Sequence, residues 1–159
     1  MTDINELVKL SYGLSVLYVE DDAKIREEMY EVLDGFFNVV ILAENGEDAL
    51  DRFEQYKKET RVYPDIIITD INMPKYNGIN MSKKILEHNS EQLIVVLSAC
   101  NESHYLLELI NIGIAHYLVK PICAEHLLQT LHRAVKKINY RKMELQYIEK
   151  LEKLAYKDL

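Results

Sequence analysis

Five short apolar runs rich in β-branched residues, at residues 14–19, 39–43, 65–69, 93–97 and 115–119, recur along the 159-residue chain with longer segments between them. This alternation limits the possible folds more than any other feature. The runs read LSVLYV, VVILA, DIIIT, LIVVL and AHYLV, with almost no polar alternation, as strands covered on both faces do. The intervening segments carry helical spacing, for example Ile25, Met29, Val32 and Leu33, then Ala49, Leu50 and Phe53. Asn45 and Asn101 stand where helix N-caps belong. The expected fold is α/β: a doubly wound five-stranded parallel sheet with helices on both faces and right-handed crossovers. A hydrophobic content of 48% is enough to fill the core of one such domain.

In a sheet of this kind chemistry collects where loops meet at the carboxyl ends of the strands. The first run ends in Glu20-Asp21-Asp22, the third in Asp70, the fourth in Ser98 and the fifth in Lys120-Pro121. Carboxylates brought together there, with Asp21, Asp22 and Asp70 the candidates, would repel by about 4 kcal/mol per close pair at an effective dielectric near 20. Such a cluster raises its own pKa values or takes a cation. Oxygen donors on short acidic side chains suit Mg²⁺, and a metal-bound carboxylate rim accepts a phosphoryl group. Asp70 is then the candidate nucleophile, with Lys120 placed to neutralise one phosphoryl oxygen and Ser98 to donate to another. Singly these residues mean little, because an acidic pair after a strand is ordinarily a helix cap with a first-turn acid. Their arrival in order at four strand ends favours the chemical reading.

Charge and composition exclude several alternatives. From residue 133 onward there are eight Lys or Arg against four Asp or Glu, so the tail is +4 and the body carries −11 of the net −7. An acidic body disfavours nucleic-acid binding, which needs clustered cations. Cys100 and Cys123 form neither a CxxC nor a metal-ligand pattern. The five histidines share no ligand spacing, and the five glycines make no phosphate-binding loop. The N-terminal MTDINELVKL has acids where a signal peptide is basic, and no run reaches the roughly 18 apolar residues of a membrane span, so a cytoplasmic protein is expected.

The segments LYVEDD, PDIIITDINMPKYNG, VVLSA and GIAHYLVKPI, spread between Leu14 and Leu131, resemble the receiver domain of two-component response regulators. The resemblance implies a flavodoxin-like receiver fold that accepts a phosphoryl group on Asp70 from a sensor histidine kinase or phosphotransfer protein. It further implies Mg²⁺ held directly by Asp22, mainly through water by Asp21, and by Asp70 and the backbone carbonyl of Asn72. Ser98, Lys120 and Tyr117 fall on the family's switch positions, and a cis Lys120–Pro121 bond is implied. Ser98 replaces the commoner Thr and keeps its hydroxyl. Ile114 stands where a small Ala is usual, which puts the packing beside the fifth strand in question. Asn72 and Cys100 occupy positions that tune the lifetime of the phosphate.

Three parts are expected: an N-terminal extension over residues 1–12, the receiver over 13–132 and a helical linker over 133–159 leading toward an output domain. The extension holds a short helix over residues 5–11 with no assigned function. The last helix starts near Ala124 and has no Pro or Gly to stop it. Leu131, Ile138, Leu145 and Leu159 recur every seven residues, broken by Glu152, with Ala134, Ile148 and Ala155 against Arg141 in the partner positions. This spacing predicts a parallel coiled coil and a homodimer. The closing LEKLAYKDL resembles the segment that leads into the catalytic domain of diguanylate cyclases.

Two rival readings use similar residues. A haloacid dehalogenase-like phosphatase also uses an aspartate nucleophile, but it places a second Asp two residues on, where this chain has Asn72, and an amide cannot shuttle a proton. An unphosphorylated interaction module would have no use for every reactive group kept here.

Overall fold

The computed structural model describes residues 1–99, 104–114 and 116–157. Its parallel sheet runs in the order β2-β1-β3-β4-β5, with β1 Ser15–Val19, β2 Val39–Ala43, β3 Ile66–Asp70, β4 Leu93–Ala99 and β5 His116–Lys120. Helices α1 Ile4–Ser11, α2 Ala23–Asp34, α3 Gly46–Thr60, α4 Gly78–His88, α5 Leu106–Asn111 and α6 Ala124–Lys157 surround it. The expected doubly wound arrangement is therefore the one observed. Asn45 caps α3 by accepting from the Asp48 backbone N–H at 2.8 Å, whereas Asn101 lies outside the described residues.

Alternation along the strands divides the core in two, because successive side chains leave opposite faces of a sheet. Val16, Tyr18, Ile66 and Ile68 join Leu33, Leu127 and Leu131 on one face. Leu17, Val19 and Ile67 join Phe53, Met81 and Ile85 on the other. Ile114, whose bulk was in question, is buried in this second layer and donates its N–H to Leu109 O at 3.0 Å. The space beside β5 accommodates it.

The N-terminal helix belongs to this body. Asp3 caps it through the N–H groups of Asn5 and Glu6, and Leu7 is fully buried in the first core layer. It runs alongside α6, where Glu6 pairs with His132 at 2.8 Å and Asn139 Nδ2 donates to Leu10 O at 2.8 Å.

Helix α6 extends beyond the sheet. Leu127, Leu131, Ala134, Val135 and Ile138 pack into the body, and its last tethers are Arg141 to Glu91 at 3.3 Å and Lys142 to Asp65 at 3.0 Å. The expected heptad seam is corrected in its first half, while its members Leu145 and Ile148 are exposed. Leu131 and Ile138 are consumed by the core, and Leu159 lies outside the described residues. Of the exposed apolar residues beyond Ile138, Tyr140, Met143, Tyr147, Leu151 and Leu154 share one face of the helix as a stripe, by their spacing. Tyr140 stands two residues after Ile138, about 200° around a 3.6-residue helix, so the stripe faces away from the receiver core. Among the described residues no helix is long and apolar enough to cross a membrane.

If α1 is an integral part of the body, Leu7→Ala should cost about 2–5 kcal/mol, as other buried leucine truncations do. Urea unfolding measures this, and an unchanged midpoint would show α1 to be a detachable appendage.

Candidate functional site

The end of β3 explains why an apolar strand finishes on a carboxylate. Asp70 is only 7% exposed, and both of its oxygens are engaged: Oδ1 accepts from the Ile71 N–H at 2.9 Å and Oδ2 from Lys120 Nζ at 2.8 Å. Glu20, one residue past β1, is 2% exposed. Its Oε1 accepts from the Asp22 N–H at 3.2 Å. Its Oε2 has no hydrogen-bond partner among the described residues and lies 3.8 Å from Lys120 Nζ. Carboxylate oxygens of Glu20, Asp21 and Asp70 all come within 4.8 Å of one another. Arg26 braces this turn from α2, donating to Glu20 O at 2.7 Å and Asp21 O at 3.4 Å.

The family resemblance implies Asp22 as the direct metal ligand, and the structure assigns that carboxylate elsewhere. Asp22 is the N-cap of α2, its Oδ1 accepting from the Ile25 N–H at 3.0 Å. The first turn of a helix leaves N–H groups without intrahelical partners, and a short acidic side chain satisfies one of them. Glu20 takes the place in the cluster instead. The register contains the signal that was missed: Val19 pairs with Thr69, so the next residue on each strand, Glu20 and Asp70, arrives at the same level.

The remaining candidates converge on the same rim. Ser98, fully buried, has its hydroxyl 3.0 Å from Ala99 O and in a 2.8 Å hydrogen bond with the Tyr117 hydroxyl. Asn72 follows Asp70 by two residues, between the buried side chains of Ile71 and Met73. The Lys120–Pro121 bond is cis. Cys100 lies outside the described residues.

The electrostatics match the crowding. The Glu20 carboxyl is pushed up to about 7, first by burial and then by the Asp70 charge, while Lys120 pulls it down. A buried carboxylate oxygen without a hydrogen-bond partner, in a set of hard oxygen donors, fits Mg²⁺. The donors that meet this test are Glu20, Asp21 and Asp70.

From an ordinary value of 4.5, Glu20 rises to about 7 in the fold. Between these two values the native state binds the extra proton, so stability falls as pH rises. In chelator-treated protein the loss from pH 4.5 to 7.5 attributable to Glu20 should approach about 3 kcal/mol. Urea midpoints should show a flatter profile in Glu20→Gln, and added Mg²⁺ should restore the wild type at the alkaline end. Identical profiles for the two proteins would remove Glu20 from the charge cluster.

Comparison with known proteins agrees with the fold. The family model of the response regulator receiver domain matches residues 16–132. The chemotaxis protein CheY of Thermotoga maritima is 30% identical over 125 residues, covering 78% of this chain and 99% of that protein. The transcriptional regulatory protein DegU of Brevibacillus brevis is 28% identical over 120 residues, and the match covers 74% of this chain but 48% of DegU. The chain thus spans nearly all of CheY and about half of DegU. The crystal structure of the N-terminal domain of an uncharacterized protein from Wolinella succinogenes superposes with a TM-score of 0.70 at 32% identity, covering 83% of this chain and 98% of that one. With the family model matching well over half of its length, with a parallel five-stranded sheet and with an acidic pocket at the strand ends, this chain belongs to the response regulator receiver domain family of two-component systems.

Proposed function

We propose that this receiver domain is a phospho-acceptor switch in which Asp70 takes a phosphoryl group from a phosphohistidine of a sensor histidine kinase or phosphotransfer protein. The observation that carries the reading is the setting of Asp70: a nearly buried carboxylate held by Lys120 and the Ile71 N–H, beside Glu20 and Asp21. A carboxylate oxygen of Asp70 attacks phosphorus, the P–N bond to the donor imidazole breaks with its electron pair returning to nitrogen, and a mixed anhydride forms on Asp70. Mg²⁺ bound by Glu20, Asp21, Asp70 and the Asn72 carbonyl would offset the charge on the phosphoryl oxygens. Lys120, already on Asp70 Oδ2, follows the developing charge onto a phosphoryl oxygen.

Ser98 and Tyr117 connect this chemistry to a surface. The Ser98 hydroxyl bonds Ala99 O and Tyr117, so donating to a phosphoryl oxygen takes its proton from Ala99 O, and a turn of the Ser98 side chain toward that oxygen releases the Tyr117 ring. The surface altered is that of α5, β5 and the start of α6. Carrying it from 1:99 to 99:1 requires that the phosphoryl group favour one state by about 5.5 kcal/mol. Helix α6, continuous from the site to its exposed stripe, is the path toward an output, and the stripe serves a homodimer formed through α6. In this reading the chain accepts and loses the group itself and is otherwise a signalling module.

Incubation with MgCl₂ and acetyl phosphate, or with beryllofluoride, should give an adduct that Asp70→Asn abolishes; an adduct surviving in that variant would overturn the assignment. Sedimentation of the adduct should show association that Leu151→Glu destroys and Leu145→Glu leaves intact. The reverse pattern would restore the seven-residue seam through Leu145.

A further inference from the structure

The loop between β3 and α4, which leads from Asp70 through Asn72, rests against the first turn of α3. Gly46 opens that helix, and a Cβ there would collide with the carbonyl oxygen of Tyr76. Glu47, the next residue, donates its backbone N–H to Lys75 O at 3.2 Å. One of the N–H groups that α3 cannot satisfy internally is therefore satisfied by the acceptor loop. At the other end of the loop Gly78 donates to Ile71 O at 2.9 Å, and a Cβ at Gly78 would meet the carbonyl of Asp70. Between these supports Lys75 and Tyr76 hold left-handed backbone, with φ of 51° and 82°, a conformation that side chains other than glycine adopt only when their surroundings impose it. Ile71 and Met73 bury their side chains in the second core layer, which leaves Asn72 on a segment with little freedom to shift.

We infer that Gly46 is a positioning residue for the metal and phosphoryl site: α3 acts as a seat for the acceptor loop, and the missing Cβ at Gly46 sets how deeply that loop sits. This rests on the proposed phospho-acceptor role of Asp70. Gly46 lies 24 residues before Asp70, and the atoms nearest its missing Cβ are those of Tyr76, so its influence passes through Lys75 and Tyr76 to Asn72. A displaced loop carries the Asn72 carbonyl away from the carboxylates while Glu20, Asp21 and Lys120 stay in place.

Titration of the full chain with MgCl₂, followed by NMR chemical shifts, tests this. Gly46→Ala should bind Mg²⁺ about tenfold more weakly, the size of effect seen when supports of metal ligands are altered. Gly13→Ala provides the control, because Gly13 has φ of 79° and nothing within 4 Å of a Cβ. It should lose thermal stability while keeping wild-type affinity. The double variant Gly46→Ala/Tyr76→Gly lets the loop move without strain and should regain stability but not affinity. Affinity that recovers together with stability, or that is unchanged in a folded Gly46→Ala, would overturn the inference. Should Gly46→Ala not fold, hydrogen exchange of the wild-type Glu47 amide decides: it should slow when MgCl₂ and beryllofluoride are added, and no change would overturn the seat. A wild-type chain that binds neither Mg²⁺ nor beryllofluoride would instead refute the phospho-acceptor reading itself.

Discussion

Carboxylates from the ends of two adjacent strands share one nearly dry rim, and the rest of the molecule is arranged around that repulsion. Glu20 and Asp70 stand level because β1 and β3 pair in parallel register, and Lys120 reaches both from β5. Bringing these groups together costs folding free energy unless positive charge accompanies them. The strained stretch beyond Asp70 and the cap on α2 both serve this geometry, one by fixing the loop and the other by turning Asp22 out of the cluster. Among the described residues a buried Glu20 carboxylate oxygen has no hydrogen-bond partner, the kind of oxygen a hard cation satisfies.

Helix α6 ties the rim to the far end of the molecule. It begins four residues after Lys120, packs five apolar side chains into the first core layer and is tethered again by Arg141 and Lys142 near the amino ends of the strands. Helix α1 doubles this contact. A helix fastened along its length moves as a unit, because packed interfaces shift between discrete arrangements and do not deform gradually. The exposed stripe begins at Tyr140, two residues past the last core contact at Ile138, and ends at Leu154, sixteen residues past it.

The parts legible in the sequence were those governed by short-range rules. Strands with apolar residues on both faces, the Asn45 cap and the uninterrupted run of α6 need only neighbours along the chain to be recognised. Asp70, Ser98 and Lys120 were found because each directly ends or follows a strand. Reading Asp21 and Asp22 as a matched pair failed for a related reason: the backbone turns into α2 at that point, and a helix cap competed for the second carboxylate. The coiled-coil seam lost its first two positions because a seven-residue repeat identifies a face without saying what covers it, and here the receiver core covers Leu131 and Ile138.

Sequence alone therefore settled the alternating architecture and the end of the sheet where Asp70, Ser98 and Lys120 gather, since each follows from hydrophobic periodicity and from what stands next to a strand. Tertiary structure decided which acids meet, which face of α6 stays exposed and how Gly46 supports a loop more than twenty residues away. These depend on strand register, helix rotation and the close approach of backbones, and such distances exist only once separate segments of the chain have packed together.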